Sequence, residues 1–278
     1  MNYFVKSHGL GNDYIVIDEK KINFKLNKRA VKRICDRNYG IGSDGLLVLV
    51  SSSKADFGLR IFNPDGSEAE KSGNGLRIFS KFLYDNRYTN KKVFTIETKG
   101  GLVKSHIIKD KGKLDRIKVE MGKASFDVKK IPFLSNKSTA INEHIKIGKK
   151  KFIFTAVTVG NPHCVIFVKK LNKKAILEFG PMLEANKKFP RKTNVQFAQI
   201  ISRKKVKILI WERGAGYTLA SGSSSCAVAS AGYKLGIFEN RVEVNMDGGN
   251  LIIDIDNEYN LTMEGSAEQI CSGNINLF

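Results

Sequence analysis

The chain has 278 residues, of which 42% are hydrophobic and 27% charged, and its formal net charge is +20. The length exceeds that of one typical domain, and the composition excludes a wholly disordered or collagen-like chain. Nucleic-acid binding is one hypothesis for such a charge, because lysine and arginine neutralise phosphates. The basic residues are scattered through connectors without an interleaved aromatic platform, which favours a solvated, lysine-rich surface over a nucleic-acid partner.

In the first half of the chain, alternating or apolar runs predict strands at Tyr14–Ile17, Leu46–Val50, Phe57–Phe62, Val93–Thr98 and Ile117–Met121. Helices are predicted over Lys28–Arg37, behind the capping candidate Asn27, and over Gly75–Asp85 after a glycine-containing turn. The second half repeats this mixture. Strands are predicted at Phe154–Val159, Cys164–Val168, Val206–Trp211 and Leu251–Ile255, and a helix at Ser224–Leu235 that stops at Gly236.

An approximate internal duplication separates two similar segments by about half the chain. Asp65–Arg77 reads DGSEAEKSGNGLR and Gly214–Ala227 reads GAGYTLASGSSSCA, so each segment places Ser-Gly at the start of a predicted helix. The duplication predicts two related α/β lobes, residues 1–148 and 149–278, each mostly strand around a central helix. The boundary is placed in the polar stretch before Lys149, and the last segment is free to cross back onto the first lobe.

The two helix starts are candidate anion sites, because the first N–H groups of a helix lack partners within it and its dipole favours negative charge. The alternative interpretation is that Ser72 and Ser221 are ordinary N-terminal caps and that the glycines are ordinary turn residues. Finding the motif twice, within longer matching segments, favours the functional interpretation.

No metal site or membrane anchor is expected. The four cysteines, Cys35, Cys164, Cys226 and Cys271, are far apart and form no C-x-x-C pair, so neither a disulfide framework nor a zinc site is indicated. No apolar run approaches the length of a spanning helix, and the N-terminus lacks the apolar core of a signal peptide. A cytoplasmic location is therefore expected.

Six blocks in chain order resemble the diaminopimelate epimerase family. FNPDGSEAEKSGNGLR at Phe62–Arg77 and WERGAGYTLASGSSSCA at Trp211–Ala227 are similar to its two active-site signatures. The other four are HGLGNDY at His8–Tyr14, DRNYGIGSDGLL at Asp36–Leu47, GNPHCV at Gly160–Val165 and TNVQF at Thr193–Phe197. This resemblance covers nearly the whole chain and is far more specific than a lone glycine motif.

The resemblance implies two pseudo-symmetric α/β lobes, each a mostly antiparallel sheet or barrel around a central helix, with an amino-acid substrate bound between them. In the family a thiolate removes the α-proton and a thiol on the opposite face returns one, without pyridoxal phosphate or any other cofactor. The default reaction is conversion of LL- to meso-diaminopimelate, in lysine and cell-wall precursor synthesis.

Family roles carried over by position assign the acid–base sites to Ser72 and Ser221, with His163 and Glu212 beside them as further catalytic residues. The hydrogen-bond donors to the α-carboxylate at the two helix starts would be Gly73, Asn74, Gly222 and Ser223. The residues that orient the substrate would be Asn12, Asn63, Asn161, Asn194, Glu212 and Arg213, the last through its planar fork. Without the resemblance, the alternative interpretation is that the asparagines are turn formers and that the Glu-Arg pair is a surface or interlobe salt bridge.

The chain departs from the family pattern at both acid–base positions, where the family has cysteine, and at Tyr217, where glutamate is usual. A serine hydroxyl is a far weaker acid than a thiol and needs an adjacent base to act. The serines fit a natural divergent subgroup, a deliberately inactivated enzyme, or a homologue that binds without turnover. Further departures at Lys71 and Ser223–Ser225 favour the divergent subgroup.

Three other functions remain open at this point: racemisation of another amino acid such as histidine, non-catalytic amino-acid binding, and basic nucleic-acid binding. The retained asparagines with Glu212 and Arg213 favour an amino-acid pocket over nucleic acid, but they do not separate an enzyme from a binder. The sequence leaves the oligomeric state open between a monomer and a homodimer.

Overall fold

The computed structural model describes residues 2–110 and 113–277, except for the side chain of Lys113. Its α-helices are α1 (Lys28–Cys35), α2 (Gly73–Asp85), α3 (Lys173–Glu184) and α4 (Gly222–Lys234), and a short 3-10 helix spans Glu19–Lys21. The strands are β1 (Tyr3–Gly9), β2 (Asn12–Asp18), β3 (Leu46–Val50), β4 (Phe57–Phe62), β5 (Glu68–Ala69), β6 (Val93–Thr98), β7 (Gly101–Asp110), β8 (Lys113–Lys123), β9 (Glu143–Ile147), β10 (Lys150–Thr158), β11 (Pro162–Phe167), β12 (Asn194–Ser202), β13 (Lys205–Glu212), β14 (Gly216–Thr218), β15 (Arg241–Met246), β16 (Gly249–Ile255), β17 (Asn260–Gly265) and β18 (Glu268–Asn274).

The chain forms two compact units. The first comprises Met1–Glu120 with Glu264–Phe278, and the second comprises Met121–Met263. The expected boundary at residue 148 therefore lies later in the chain than the observed division. The physical reason is strand pairing, because β9 forms an antiparallel hairpin with β10 and contributes Ile145 to a core that also contains Phe133 and Phe154.

In the first unit the strands pair antiparallel for β1–β2, parallel for β2–β3, antiparallel for β3–β4 and β4–β5, parallel for β4–β6 and antiparallel for β6–β7. The C-terminal strand β18 pairs antiparallel with β1 and so joins this sheet. One face packs on a core that includes Ile15, Ile34, Leu46 and Ile275. The buried side chains of α2 pack against β1, β2 and β7.

The second unit repeats the same order of pairings. They are antiparallel for β10–β11, parallel for β11–β12, antiparallel for β12–β13 and β13–β14, parallel for β13–β15 and antiparallel for β15–β16. Here α4 is packed on five strands, β10, β11, β12, β15 and β16, and its small buried residues allow that close approach. The predicted mixed α/β fold, with two duplicated halves each arranged around a helix, is confirmed.

Two helices begin slightly earlier than predicted and one was missed. Ser72 and Ser221 are the N-caps of α2 and α4, so these helices begin at Gly73 and Gly222 rather than at Gly75 and Ser224. The missed helix is α3, which is capped by Asn172 and contains Pro181 in its last turn. Proline lacks the N–H of a helix interior, so the sequence there resembles a break. No helix of the described ranges is long and apolar enough to span a membrane.

Candidate active site

Ser72 lies at the start of α2 in the first unit. Its Oγ accepts a hydrogen bond from the Gly75 N–H at 3.0 Å, which is the usual arrangement of a serine cap, and lies 3.2 Å from the Tyr14 hydroxyl. The cap has an extended backbone, with φ −138° and ψ 118°, so the chain enters the helix abruptly. The serine is therefore both a cap and a hydroxyl with a second hydroxyl as partner.

A chain of side-chain hydrogen bonds holds the two asparagines beside Ser72. Asn74 donates to Asn12 Oδ1 at 3.0 Å, and Asn12 donates in turn to Asp44 at 2.8 Å. The fully buried Arg77 donates to Asn74 Oδ1 at 3.0 Å. Arg37 then binds Asp44 at 2.7 Å at the outer end of the chain. The side-chain oxygens of both asparagines are thus used within the first unit, which fixes the orientation of their amides.

Asn63, another predicted residue of the first unit, lies apart from this chain of hydrogen bonds. It follows β4 in an exposed turn, where its side chain donates to Ser67 Oγ at 3.0 Å and its backbone N–H donates to the Ser67 carbonyl at 2.8 Å. In this structure, Asn63 therefore acts as a turn former. Its predicted role in orienting a substrate stays a prediction.

Ser221 lies at the start of α4 in the second unit and contacts a carboxylate. Its hydroxyl donates to Glu212 Oε2 at 3.0 Å, while Thr218 donates to Glu212 Oε1 at 2.7 Å. Ser221 is buried, and its backbone N–H donates to the Met246 sulfur at 3.4 Å. Ser223 Oγ lies 3.5 Å from the same hydroxyl. This group of residues in the second unit therefore pairs a hydroxyl with a group that accepts protons.

The burial of its carboxylate raises the pKa of Glu212, although the residue as a whole is partly exposed. The hydrogen bonds from Thr218 and Ser221 act in the opposite direction, because they stabilise the ionised carboxylate. A carboxylate with a raised pKa is a better proton acceptor near neutral pH than an ordinary exposed one. Glu212 is thus suited to assist the Ser221 hydroxyl.

His163 is fully buried on β11, and this burial lowers its pKa to about 3, so the ring is neutral at physiological pH. Its Nε2 lies 2.9 Å from Asn161 Oδ1, which only accepts, so the proton resides on Nε2. Its Nδ1 then accepts from Gln196 Nε2 at 3.0 Å. Both ring nitrogens are engaged. This geometry favours a role in holding Asn161 over a role as a general base.

The side chain of Asn194 braces two loops of the second unit. Its oxygen accepts from the Arg213 N–H at 3.0 Å, and its nitrogen donates to the Pro162 carbonyl at 2.9 Å. The Arg213 guanidinium donates to the Arg191 carbonyl at 3.0 Å and is otherwise exposed, so part of its planar fork faces solvent. The hydrogen bonds of Asn194 fix the backbone position of Arg213. The exposed part of the Arg213 guanidinium is suited to bind a carboxylate.

Sequence reasoning missed two residues that support the predicted residues of the second unit. Gln196 donates both to His163 and to Ser224 Oγ, the latter at 3.0 Å, and Glu184 accepts from Trp211 Nε1 at 2.8 Å and from the Gly214 N–H at 3.2 Å. For Gln196 a signal existed, since it lies two positions after Asn194 on β12 and so on the same face of that strand. For Glu184 there was none, because its helix was not predicted.

Tyr217, the other departure from the family pattern, makes a short hydrogen bond through its hydroxyl to Asp247. Lys173 lies 4.4 Å from its ring centroid and 3.9 Å from the Asp247 carboxylate. Burial and the neighbouring Asp247 both raise the pKa of this phenol, so Tyr217 stays neutral.

The predicted residues thus form two groups, one in each unit. The first unit brings together Asn12, Ser72, Gly73 and Asn74, and the second brings together Asn161, His163, Asn194, Glu212, Arg213, Ser221, Gly222 and Ser223. Among the described residues, no cluster of three or more histidine, cysteine or acidic side chains has the geometry of a metal site.

Known proteins resemble this chain over nearly its whole length. The family described as diaminopimelate epimerase matches residues 4–127 and 155–270. Diaminopimelate epimerase 2 of Nostoc sp. is 49% identical over 273 residues, covering 98% of this chain and 95% of that protein. The diaminopimelate epimerase of Carboxydothermus hydrogenoformans is 42% identical, covering 97% of this chain and 98% of that protein.

Solved structures of lower identity share the fold. A probable proline racemase of Agrobacterium radiobacter K84 has a TM-score of 0.74 and 13% identity, covering 99% of this chain and 93% of its own. A hydroxyproline epimerase of Agrobacterium vitis has a TM-score of 0.72 and 13% identity, covering 98% and 90%. At this identity the likeness concerns the fold, whereas the family match and the close relatives extend over nearly the whole sequence. The chain belongs to the diaminopimelate epimerase family.

Proposed function

We propose that the chain is a pyridoxal-phosphate-independent epimerase that inverts the α-carbon of an amino acid, with LL- to meso-diaminopimelate as its reaction. The observation that carries this proposal is the hydrogen bond from Ser221 to the Glu212 carboxylate at the start of α4. This pair provides a base for an α-proton beside helix N–H groups that suit a carboxylate. The names of the close relatives support diaminopimelate as the substrate.

The first proton transfer uses Ser221 and Glu212 together. As the Cα–H bond breaks, the serine oxygen takes the α-proton and passes its own proton to Glu212, so the net change is one new O–H bond on the carboxylate. The electron pair left on the substrate delocalises into its carboxylate. Backbone donors at a helix start, such as Gly222 and Ser223, are suited to stabilise that charge.

The second transfer returns a proton to the α-carbon from the other serine. Ser72 donates its hydroxyl proton as the new Cα–H bond forms, which inverts the stereocentre when the two protons use opposite faces. The reverse reaction exchanges the two roles. Ser72 and Ser221 thus act as the two acid–base hydroxyls of the reaction.

We expect slow turnover, because serine is a weaker acid than cysteine. A difference of even ~5 pKa units between the two side chains would raise the barrier by about 7 kcal/mol if nothing compensated. Glu212 offsets part of this cost on the Ser221 side by accepting the proton directly.

The test is α-proton exchange by the purified protein in deuterated water with LL-diaminopimelate, histidine and glutamate. We expect deuterium in diaminopimelate, formation of the meso isomer, and no need for added pyridoxal phosphate or metal. Exchange of histidine in place of diaminopimelate would reassign the substrate. Saturable binding without exchange of any of the three would instead indicate a non-catalytic amino-acid binder.

A further inference from the structure

Tyr14 is held against Ser72 by the sheet of the first unit. It is a buried residue of β2, and its hydroxyl lies 3.2 Å from Ser72 Oγ. Its ring lies directly beside Gly45, where a Cβ would approach the Tyr14 Cε1 to 2.6 Å. The Ile15 N–H donates to the Gly45 carbonyl at 3.1 Å and ties the two segments together. The backbone around Gly45 therefore restricts the position of the Tyr14 phenol.

The two acid–base serines have chemically different partners. Ser221 contacts a carboxylate, which as an anion only accepts hydrogen bonds, whereas Ser72 contacts a phenol, which also donates. The Gly75 N–H already occupies one lone pair of Ser72 Oγ. A phenol that donates to the remaining lone pair leaves the serine proton free to point at a substrate.

We propose that Tyr14 is the positioning residue of Ser72 and supplies the proton that Ser72 delivers. This inference rests on the proposed function. When the Ser72 O–H bond breaks and the new Cα–H bond forms, the Tyr14 proton moves to Ser72 Oγ and leaves a phenolate. In the reverse direction the phenolate takes the Ser72 proton while Ser72 takes the α-proton. Atoms and charge balance in both directions, and Tyr14 acts only through Ser72.

The first test needs no substrate. Ser72→Cys places a titratable thiol at this position, and Cys271→Ser removes the exposed cysteine, since Cys35, Cys164 and Cys226 are buried. The pH profile of alkylation by iodoacetamide then reports the thiol pKa. A phenol that donates to the thiolate lowers this pKa, so we expect Tyr14→Phe to raise it by about one unit. Tyr88→Phe is the matched control, because that phenol donates to Asp18 in the same unit.

A structural effect of Tyr14→Phe would change the limiting alkylation rate at high pH without moving the midpoint of the profile. An unchanged midpoint, or an equal shift in Tyr88→Phe, would overturn the role of Tyr14. This outcome does not depend on whether the protein is active on diaminopimelate.

The second test measures α-proton exchange in the chain that retains Ser72. Tyr14→Phe should lower kcat by about tenfold or more and leave KM within about twofold, because the substrate still binds while its proton donor is lost. Unchanged kcat would reject the proposal. If the parent exchanges no amino acid although Tyr14→Phe shifts the thiol midpoint, the proposed function fails and the hydrogen bond from Tyr14 stands, so the two failures are distinguishable.

Discussion

At the scale of single residues, burial sets the charges of the second unit's acid–base groups. Burial raises the pKa of Glu212 and lowers that of His163 to about 3, so both shifts disfavour the charged form. Their hydrogen bonds nevertheless differ. Glu212 accepts from two hydroxyls and can gain a proton, whereas His163 is engaged at both nitrogens. The residue suited to proton transfer is therefore Glu212.

Replacing Glu212 by glutamine tests this assignment. The raised pKa means that its contribution to stability is present below the ordinary glutamate value of 4.5 and is lost as the pH rises through the folded-state pKa. Glu212→Gln has no such loss. We expect the Glu212→Gln variant to lose exchange. Its free energy of unfolding, measured by urea denaturation, should improve relative to that of the parent as the pH rises above the ordinary glutamate value of 4.5.

Glu258→Gln is the matched control for Glu212→Gln, because Glu258 is an exposed glutamate of the same unit, 75% exposed in its side chain. Its stability difference from the parent should vary little over this pH range. A pH-independent difference for Glu212→Gln, together with retained exchange, would show that this carboxylate neither ionises against burial nor accepts the proton.

Sequence reasoning identified residues of two kinds, helix caps and positions that match the motifs of the family. Ser72 and Ser221 were found because a cap acts within its own helix. Tyr14, Gln196 and Glu184 were not assigned roles, because their hydrogen bonds to Ser72, His163 and Trp211 span 58, 33 and 27 residues. A single sequence does not show which distant side chains meet, whereas the folded strands and helices bring them together.

At the scale of elements, close packing explains glycines that look unfavourable in helices. A Cβ at Gly180 of α3 would lie 2.7 Å from Trp211 Cγ, and one at Gly232 of α4 would lie 2.1 Å from Phe238 Cδ2. Glycine weakens a helix by about 1 kcal/mol relative to alanine, so these positions favour close contact over helix propensity. The sequence did not predict α3 because Gly180 and Pro181 are both unfavourable in a helix.

Gly232→Ala should therefore destabilise the protein despite the better helix propensity of alanine. The added methyl overlaps the Phe238 ring, and overpacking of this kind costs about 1–3 kcal/mol. Urea denaturation measures the loss. In a Phe238→Leu background the same substitution should cost less, because the smaller side chain leaves room for the methyl group. Additive effects of the two substitutions would contradict the packing explanation.

At the scale of the whole molecule, the duplication is expressed as one order of strand pairings repeated in both units. Two short similar motifs in the sequence predicted this duplication. They did not locate the division at Glu120, because the pairing of β9 with β10 and of β18 with β1 joins segments that no motif marks. Strand pairing, rather than position in the chain, determines which unit a segment joins.

Deleting residues 268–278 should destabilise the first unit selectively. This removes β18 from the edge of β1 and removes Ile275 from the core of that unit. Amide hydrogen exchange should show lost protection in β1 and β2, with β12 and β13 retaining theirs, because local stability follows the contacts that each segment makes. Equal loss in both units, or no loss in β1, would contradict this role of the C-terminal strand.

We propose that the side chains at positions 72 and 221 transfer the protons, and one comparison of exchange rates tests this role. The rate of α-proton exchange from LL-diaminopimelate in deuterated water is measured for the parent and for Ser72→Cys with Ser221→Cys. We predict slow exchange by the parent and an increase of orders of magnitude in the double variant, because a thiol ionises far more readily than a hydroxyl. Either single variant should restore exchange from one face at most. Fast exchange by the parent with no gain in the double variant would contradict the predicted cost of serine and leave the chemistry either to the serines with their hydrogen-bond partners or to another base.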